Sequence, residues 1–241
     1  MNVGYTHYWD RLGKEIEKKK FAAIVADFKR LLPLFNVLDV QLANGTGTGE
    51  PVIDDQEVSF NGNRCCGHPK NKSIVIPWPS ENPKFGVARN GSQAVCNIWF
   101  AGVVLNQRTC DGDCSYETFY FPRVIPEQCL LAKNGYYFDC CKTGFRPYDL
   151  AVQVFLVVAK HHLGKTMIVK SDGDARLWLD AAKLCENVLG YGFDFVLGDE
   201  QSSAEQNFEE LAAKSKDSTV PSMDAAWKTR ALVAKRKGDR E

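Results

Sequence analysis

The chain has 241 residues, 44% of them hydrophobic, and its thirty basic and thirty acidic side chains cancel. That length suffices for one large domain without disulfide staples, and a zero balance gives no general pull toward nucleic acid or a membrane surface, so either would need a local patch. No run of about eighteen apolar residues is present, which excludes a hydropathic membrane helix, and EIEKKK (15–20) stands where a secretory leader needs its apolar centre.

The nine cysteines are therefore expected as thiols or metal ligands in a reducing cytoplasm.

In chain order, GYTHYWD (4–10) reads as a strand with Tyr5, His7 and Trp9 on one face and Thr6, Tyr8 and Asp10 on the other. A strand so aromatic on both faces demands cover on both. Residues 15–32 form an amphipathic helix, with Phe21, Ile24, Val25, Phe28, Leu31 and Leu32 at helical spacing and Pro33 as its stop. FNVLDVQL (35–42) follows as a short strand. NGTGTGEP (44–51) is a loop that matches neither a phosphate loop nor a dinucleotide fingerprint.

EVSFNG (57–62) alternates Val58 and Phe60 inward and reads as a strand closed by an Asn-Gly turn. Residues 63–94 are rich in Pro, Gly, Asn and Ser and read as long loops around a short strand, SIVIPW. VCNIWFAGVVL (95–105), SYETFYF (115–121) and YYFDCCKT (136–143) are strands by composition.

PYDLAVQVFLVVAKHHLG (147–164) is apolar around most of its circumference, and its length predicts a buried helix that Pro147 opens and Gly164 closes, with His161 and His162 in its last turn. TMIVKS is a strand. Asp172 and Gly173 turn the chain into a helix over 174–189, buried through Leu177, Trp178, Ala181, Leu184, Cys185 and Val188, and FDFVL (193–197) is a last strand. The pattern predicts an α+β fold, an antiparallel or mixed sheet with helices packed on it, as a single domain over 1–198. From 199 to 241 charge, Ser and Gln dominate, and we expect a partly helical or disordered tail ending near the basic KRK run.

Two sets of residues carry chemistry. R-C-C-G-H supplies Cys65, Cys66 and His68, and C-D-G-D-C supplies Cys110 and Cys114. Thiolate and imidazole are the usual ligands of zinc. One of the paired cysteines with His68, Cys110 and Cys114 completes four protein ligands, which makes a structural rather than a catalytic zinc site. Separate buried thiols and a Cys110–Cys114 disulfide are the alternatives.

The second set lies at strand-to-helix junctions. C-C-K-T-G-F-R-P-Y-D (140–149) offers Lys142, Thr143 and Arg146 beside the free N–H groups of a helix start, an anion site with Asp149 orienting Arg146; the plain alternative is Asp149 balancing the helix dipole. Asp172 in S-D-G-D is a ligand contact or simply an N-cap. His7 and Glu117, set among aromatic residues, are the acid–base candidates, against ordinary roles as a core histidine and an ion-pair partner. If they converge with Lys142, Arg146 and Asp149 they line one pocket for a small anionic, nucleotide-like ligand, in a hydrolase or a sequestering binder.

GYTHYW, FNG, C-x-G-x-C-S-Y-E-T-F, CKT-x-x-x-PYD and SDG followed by Trp178 together resemble a family of uncharacterised proteins of bacteria and their phages, over residues 4–197. The resemblance implies an intracellular, cytoplasmic protein of a bacterium or its phage, and no mechanism. The rival function comes from another class: a zinc-stabilised interaction or virion-associated protein that recruits a protein partner through residues 199–241. Nucleic-acid binding through KRK is the weakest reading, since net neutrality opposes it.

Overall fold

The structure is a computed structural model that describes residues 4–74, 98–99, 103–104, 108–127 and 135–198. The expected partly helical or disordered tail over 199–241 lies outside these residues, as does most of the SIVIPW strand.

The chain runs β1 (Thr6–Leu12), α1 (Lys18–Val37), β2 (Leu42–Ala43), β3 (Val52–Ile53), β4 (Glu57–Gly62), β5 (Lys70–Ile74), β6 (Ile98–Trp99), β7 (Val103–Val104), β8 (Arg108–Asp111), β9 (Phe119–Pro122), β10 (Tyr136–Lys142), α2 (Asp149–Leu163), β11 (Met167–Ser171) and α3 (Leu179–Leu189). This is an α+β fold whose strand pairs are antiparallel. β1 is the middle strand of a three-stranded sheet ordered β10-β1-β11. His7 faces Cys141 on one side and Ser171 on the other. The aromatic start of the chain is thus docked in a sheet, with Tyr5, His7, Trp9 and Arg11 buried.

A second sheet, β2-β4-β3 with β9 also paired to β4, supplies the opposite wall. Val58 and Phe60 of β4 and Phe119 and Phe121 of β9 point into a core shared with α1 and α2. The Phe155 ring of α2 meets Phe119 and Phe121 edge-on, with centroids 5.1 and 5.0 Å apart, a favoured aromatic geometry. α2 is buried around nearly its whole surface, as its all-round apolar sequence requires, and packs between α1 and α3.

Five elements differ from their sequence signals: SYETFYF is a strand only from Phe119, the helix expected over 174–189 opens as a 3-10 turn over Ala175–Trp178 before α3, and three more depart as follows. α1 runs through Pro33 to Val37 and absorbs the start of the expected strand FNVLDVQL, because Leu34 and Phe35 are needed in the core. Tertiary burial outweighs the one hydrogen bond that proline removes. Asn61 and Gly62 do not turn the chain but continue β4, where Asn61 pairs with Ala43. FDFVL forms turns instead of a strand, with the Trp178 and Phe195 rings stacked at 5.0 Å.

Between β10 and α2 the chain reverses through Gly144 and Phe145, both left-handed (φ 56°). This conformation is uncommon for phenylalanine, and it lays the Phe145 ring on Tyr5 at 3.7 Å. None of the described helices is long and apolar enough to cross a membrane.

Candidate metal centre

Two chain segments far apart in sequence meet below β4. The first follows β4 directly: the Asn63 side chain accepts from the Cys65 N–H at 2.8 Å, and Gly67 (φ 74°) lets the chain turn back at once. The second leaves β8 through Gly112 (φ 81°), after which the Asp113 carboxylate takes the Ser115 N–H at 2.7 Å. These Asx-type turns are local and sequence-encoded. Asn63 then joins the segments, its carbonyl accepting from the Cys114 N–H at 3.2 Å, and its side chain and N–H both bond Gln41.

The result is a group of four donors, Cys66, His68, Cys110 and Cys114, whose ligand atoms all lie within 4.8 Å of one another. The Cys66 and Cys110 sulfurs are 3.5 Å apart, and His68 Nδ1 is 3.2 Å from the Cys114 sulfur. A tetrahedral zinc site with bonds of about 2.3 Å to sulfur and 2.0 Å to nitrogen has edges of roughly 3.5–3.8 Å. The three sulfurs are buried, and all four cysteines of the two motifs are free thiols. Of the adjacent pair, Cys66 enters the group and Cys65 is exposed outside it, because the turn at Asn63 directs its neighbour outward.

The far nitrogen of the imidazole is also held: His68 Nε2 lies 3.0 Å from Asp39 Oδ1. A carboxylate there keeps the proton on Nε2 and frees Nδ1 as a donor, the arrangement common behind metal-bound histidine. Asp39 sits just past α1 in a left-handed conformation (φ 59°), which aspartate tolerates better than most residues. Burial pushes the Cys110 and Cys114 thiols up; at Cys66 burial is again the largest influence, but hydrogen bonds from the His68 N–H and from Cys114 and Cys110 together outweigh it, and that thiol lies below its ordinary value. A divalent cation bound by three such sulfurs would hold them as thiolates.

The other sequence candidates fall into two places. His7, Thr143 and Asp149 meet in the core. His7 is fully buried, its Nε2 2.8 Å from Asp149 Oδ1 and its Nδ1 3.1 Å from Ser171 Oγ. Thr143 Oγ1 donates to Asp149 Oδ1. The cation on Asp149 is Arg108, not Arg146: Arg108 Nε donates to Asp149 Oδ2 at 2.9 Å, and its two terminal nitrogens donate to Gln153 Oε1 at 2.7 Å and Asp180 Oδ2 at 3.1 Å. Burial alone would raise the Asp149 carboxyl, but His7, Arg108 and Thr143 together hold it below the usual carboxylate range. The anion at the α2 N-terminus is therefore the chain's own carboxylate.

Glu117, Lys142 and Arg146 do not join this group. The exposed Glu117 carboxylate accepts from the Lys142 N–H at 2.7 Å. Lys142 Nζ lies over the Tyr116 ring at 5.8 Å, and Arg146 approaches Asp111 at 3.9 Å. Asp172 accepts from the Thr6 N–H and the Tyr8 hydroxyl, both at 3.0 Å, and so fastens the start of β1.

Sequence reasoning missed Arg108, Gln153, Asp180 and Asp39. A polar Gln153 within an apolar helix was the one available signal. No family model, curated protein or solved structure matches the chain.

Proposed function

We propose that this chain binds one zinc ion through Cys66, His68, Cys110 and Cys114, and that the metal is architectural in a protein that works by association rather than catalysis. The observation that carries this reading is the closure of four donors within 4.8 Å. Four protein ligands leave no coordination position for water or substrate, which is the mark of a structural site. The ion would clamp the segment that carries Cys66 and His68 to the one that carries Cys110 and Cys114.

The pocket for a small anion draws less support. Its two cations, Lys142 and Arg146, are engaged at Tyr116 and Asp111, and the His7 ring has both nitrogens occupied inside the core.

Native mass spectrometry of the full chain, purified from zinc-supplied cells, tests the proposal. One zinc per chain is expected, lost in Cys110→Ser and Cys114→Ser. A metal-free wild-type chain would refute it. Whether residues 199–241 recruit the partner is tested by their deletion, which should abolish association while leaving the zinc in place.

A further inference from the structure

We propose that zinc seats Arg108 in the core, so that metal binding and the buried Arg108–Asp149–His7 network form as one unit. This inference rests on the zinc reading above. Arg108 and Cys110 are alternate residues of β8, and both are buried. Alternate strand residues share a face and lie about 7 Å apart, so one short strand carries a metal ligand at one end and the core's buried guanidinium at the other.

Among the described residues β8 pairs with β5 in a two-stranded sheet, and such a pair is marginal by itself; Arg146 approaches its last residue, Asp111, at 3.9 Å. Thr109, between the two anchors, donates its N–H to the Phe145 carbonyl at 3.0 Å. The strand is otherwise located by Cys110 below and by the three acceptors that grip Arg108 above. A bound ion fixes the first anchor and so fixes the position from which the guanidinium reaches Asp149. Without it, a larger share of the cost of ordering β8 falls on Arg108, the Thr109 contact and the β5 pairing.

When Arg108 withdraws, Asp149 keeps His7 and Thr143 as its side-chain partners among the described residues. Zinc status thereby reaches a buried imidazole in the central sheet, although His7 is no ligand. Coupling between two binding events is reciprocal: if zinc helps seat Arg108, a seated Arg108 must tighten zinc by the same factor.

The test measures zinc affinity, by competition with a chromophoric chelator, in the full chain and in Arg108→Gln, Asp180→Asn and Leu184→Ala. Arg108→Gln should weaken zinc by about tenfold or more. Asp180→Asn, which alters one contact at the rim of the network, should weaken it a few-fold. Leu184→Ala, a core truncation in α3 that removes no hydrogen-bond partner of Arg108, should leave it unchanged. Arg108→Gln should also lower the denaturation midpoint of the zinc-loaded protein, with a smaller effect once zinc is stripped.

Unchanged zinc affinity in Arg108→Gln, or equal losses of midpoint with and without zinc, would overturn the coupling while leaving the metal site intact. If Arg108→Gln does not fold, Asp180→Asn decides: wild-type affinity there overturns the proposal. A wild-type chain that takes up no zinc defeats the underlying reading instead, and the two failures are thus distinct.

Discussion

Asp39 Oδ1 lies 3.0 Å from the ring nitrogen of His68 that faces away from the cysteine group. Such outer partners fix the tautomer and orientation of a ligating histidine, and their loss typically costs 10–100-fold in metal affinity. Asp39→Ala is therefore expected to weaken zinc by about that factor and still bind it one to one. Chelator competition checks this.

The two adjacent cysteines should behave oppositely. Cys66→Ser is expected to abolish zinc binding, and Cys65→Ser to leave stoichiometry intact and stability within about 0.5 kcal/mol, as for an exposed position. Free zinc at about a hundred times its dissociation constant should add roughly 2.7 kcal/mol to the wild type and Cys65→Ser. No such gain is expected in Cys66→Ser. Thermal melts with and without chelator report all three.

Gly62 ends β4 against the second ligand segment, and a Cβ there would collide with the backbone carbonyl of Cys114. Backbone cannot yield as a flexible side chain can. Gly62→Ala should move Cys114 away from His68 and reduce zinc affinity even if the remainder of the domain folds. Metal content after gel filtration would show it.

Asp149 makes an acid-side prediction. Its carboxyl is held below the ordinary 3.8 in the folded chain, so the folded state binds fewer protons than the unfolded one in that range. The resulting stability is present above the unfolded pKa and is lost as pH falls below it toward the folded value. Asp149→Asn should flatten the acid limb of the stability–pH profile below about pH 4. At neutral pH it should cost about 3–5 kcal/mol, because Arg108 is left buried without its carboxylate. Urea denaturation across pH measures both.

The elements with strong periodicity were readable from sequence, and the long-range pairings were not. β10 and β11 fall where YYFDCCKT and TMIVKS place them, and α2 within two residues of its expected ends. Cys66, His68, Cys110 and Cys114 could be grouped because thiols and imidazole have few other reasons to cluster. Choosing between Cys65 and Cys66 needed the turn at Asn63, which spacing does not reveal. Arg108 was hidden for a different reason. A buried guanidinium is defined by acceptors at 149, 153 and 180, and nothing local to residue 108 announces them. Arg146 was the natural candidate for Asp149 by proximity, yet the tight turn before α2 directs it toward Asp111.

Thr6–Leu12 is the middle strand of its sheet, and both its neighbours, Tyr136–Lys142 and Met167–Ser171, are synthesised more than 120 residues after it. During synthesis Trp9 and its aromatic companions must therefore wait for more than half the polypeptide before they are covered. Such non-local pairing folds slowly and leaves sticky surface exposed meanwhile. A nascent chain stopped before residue 167 should bind chaperones avidly, and termination there should yield insoluble product rather than a working fragment.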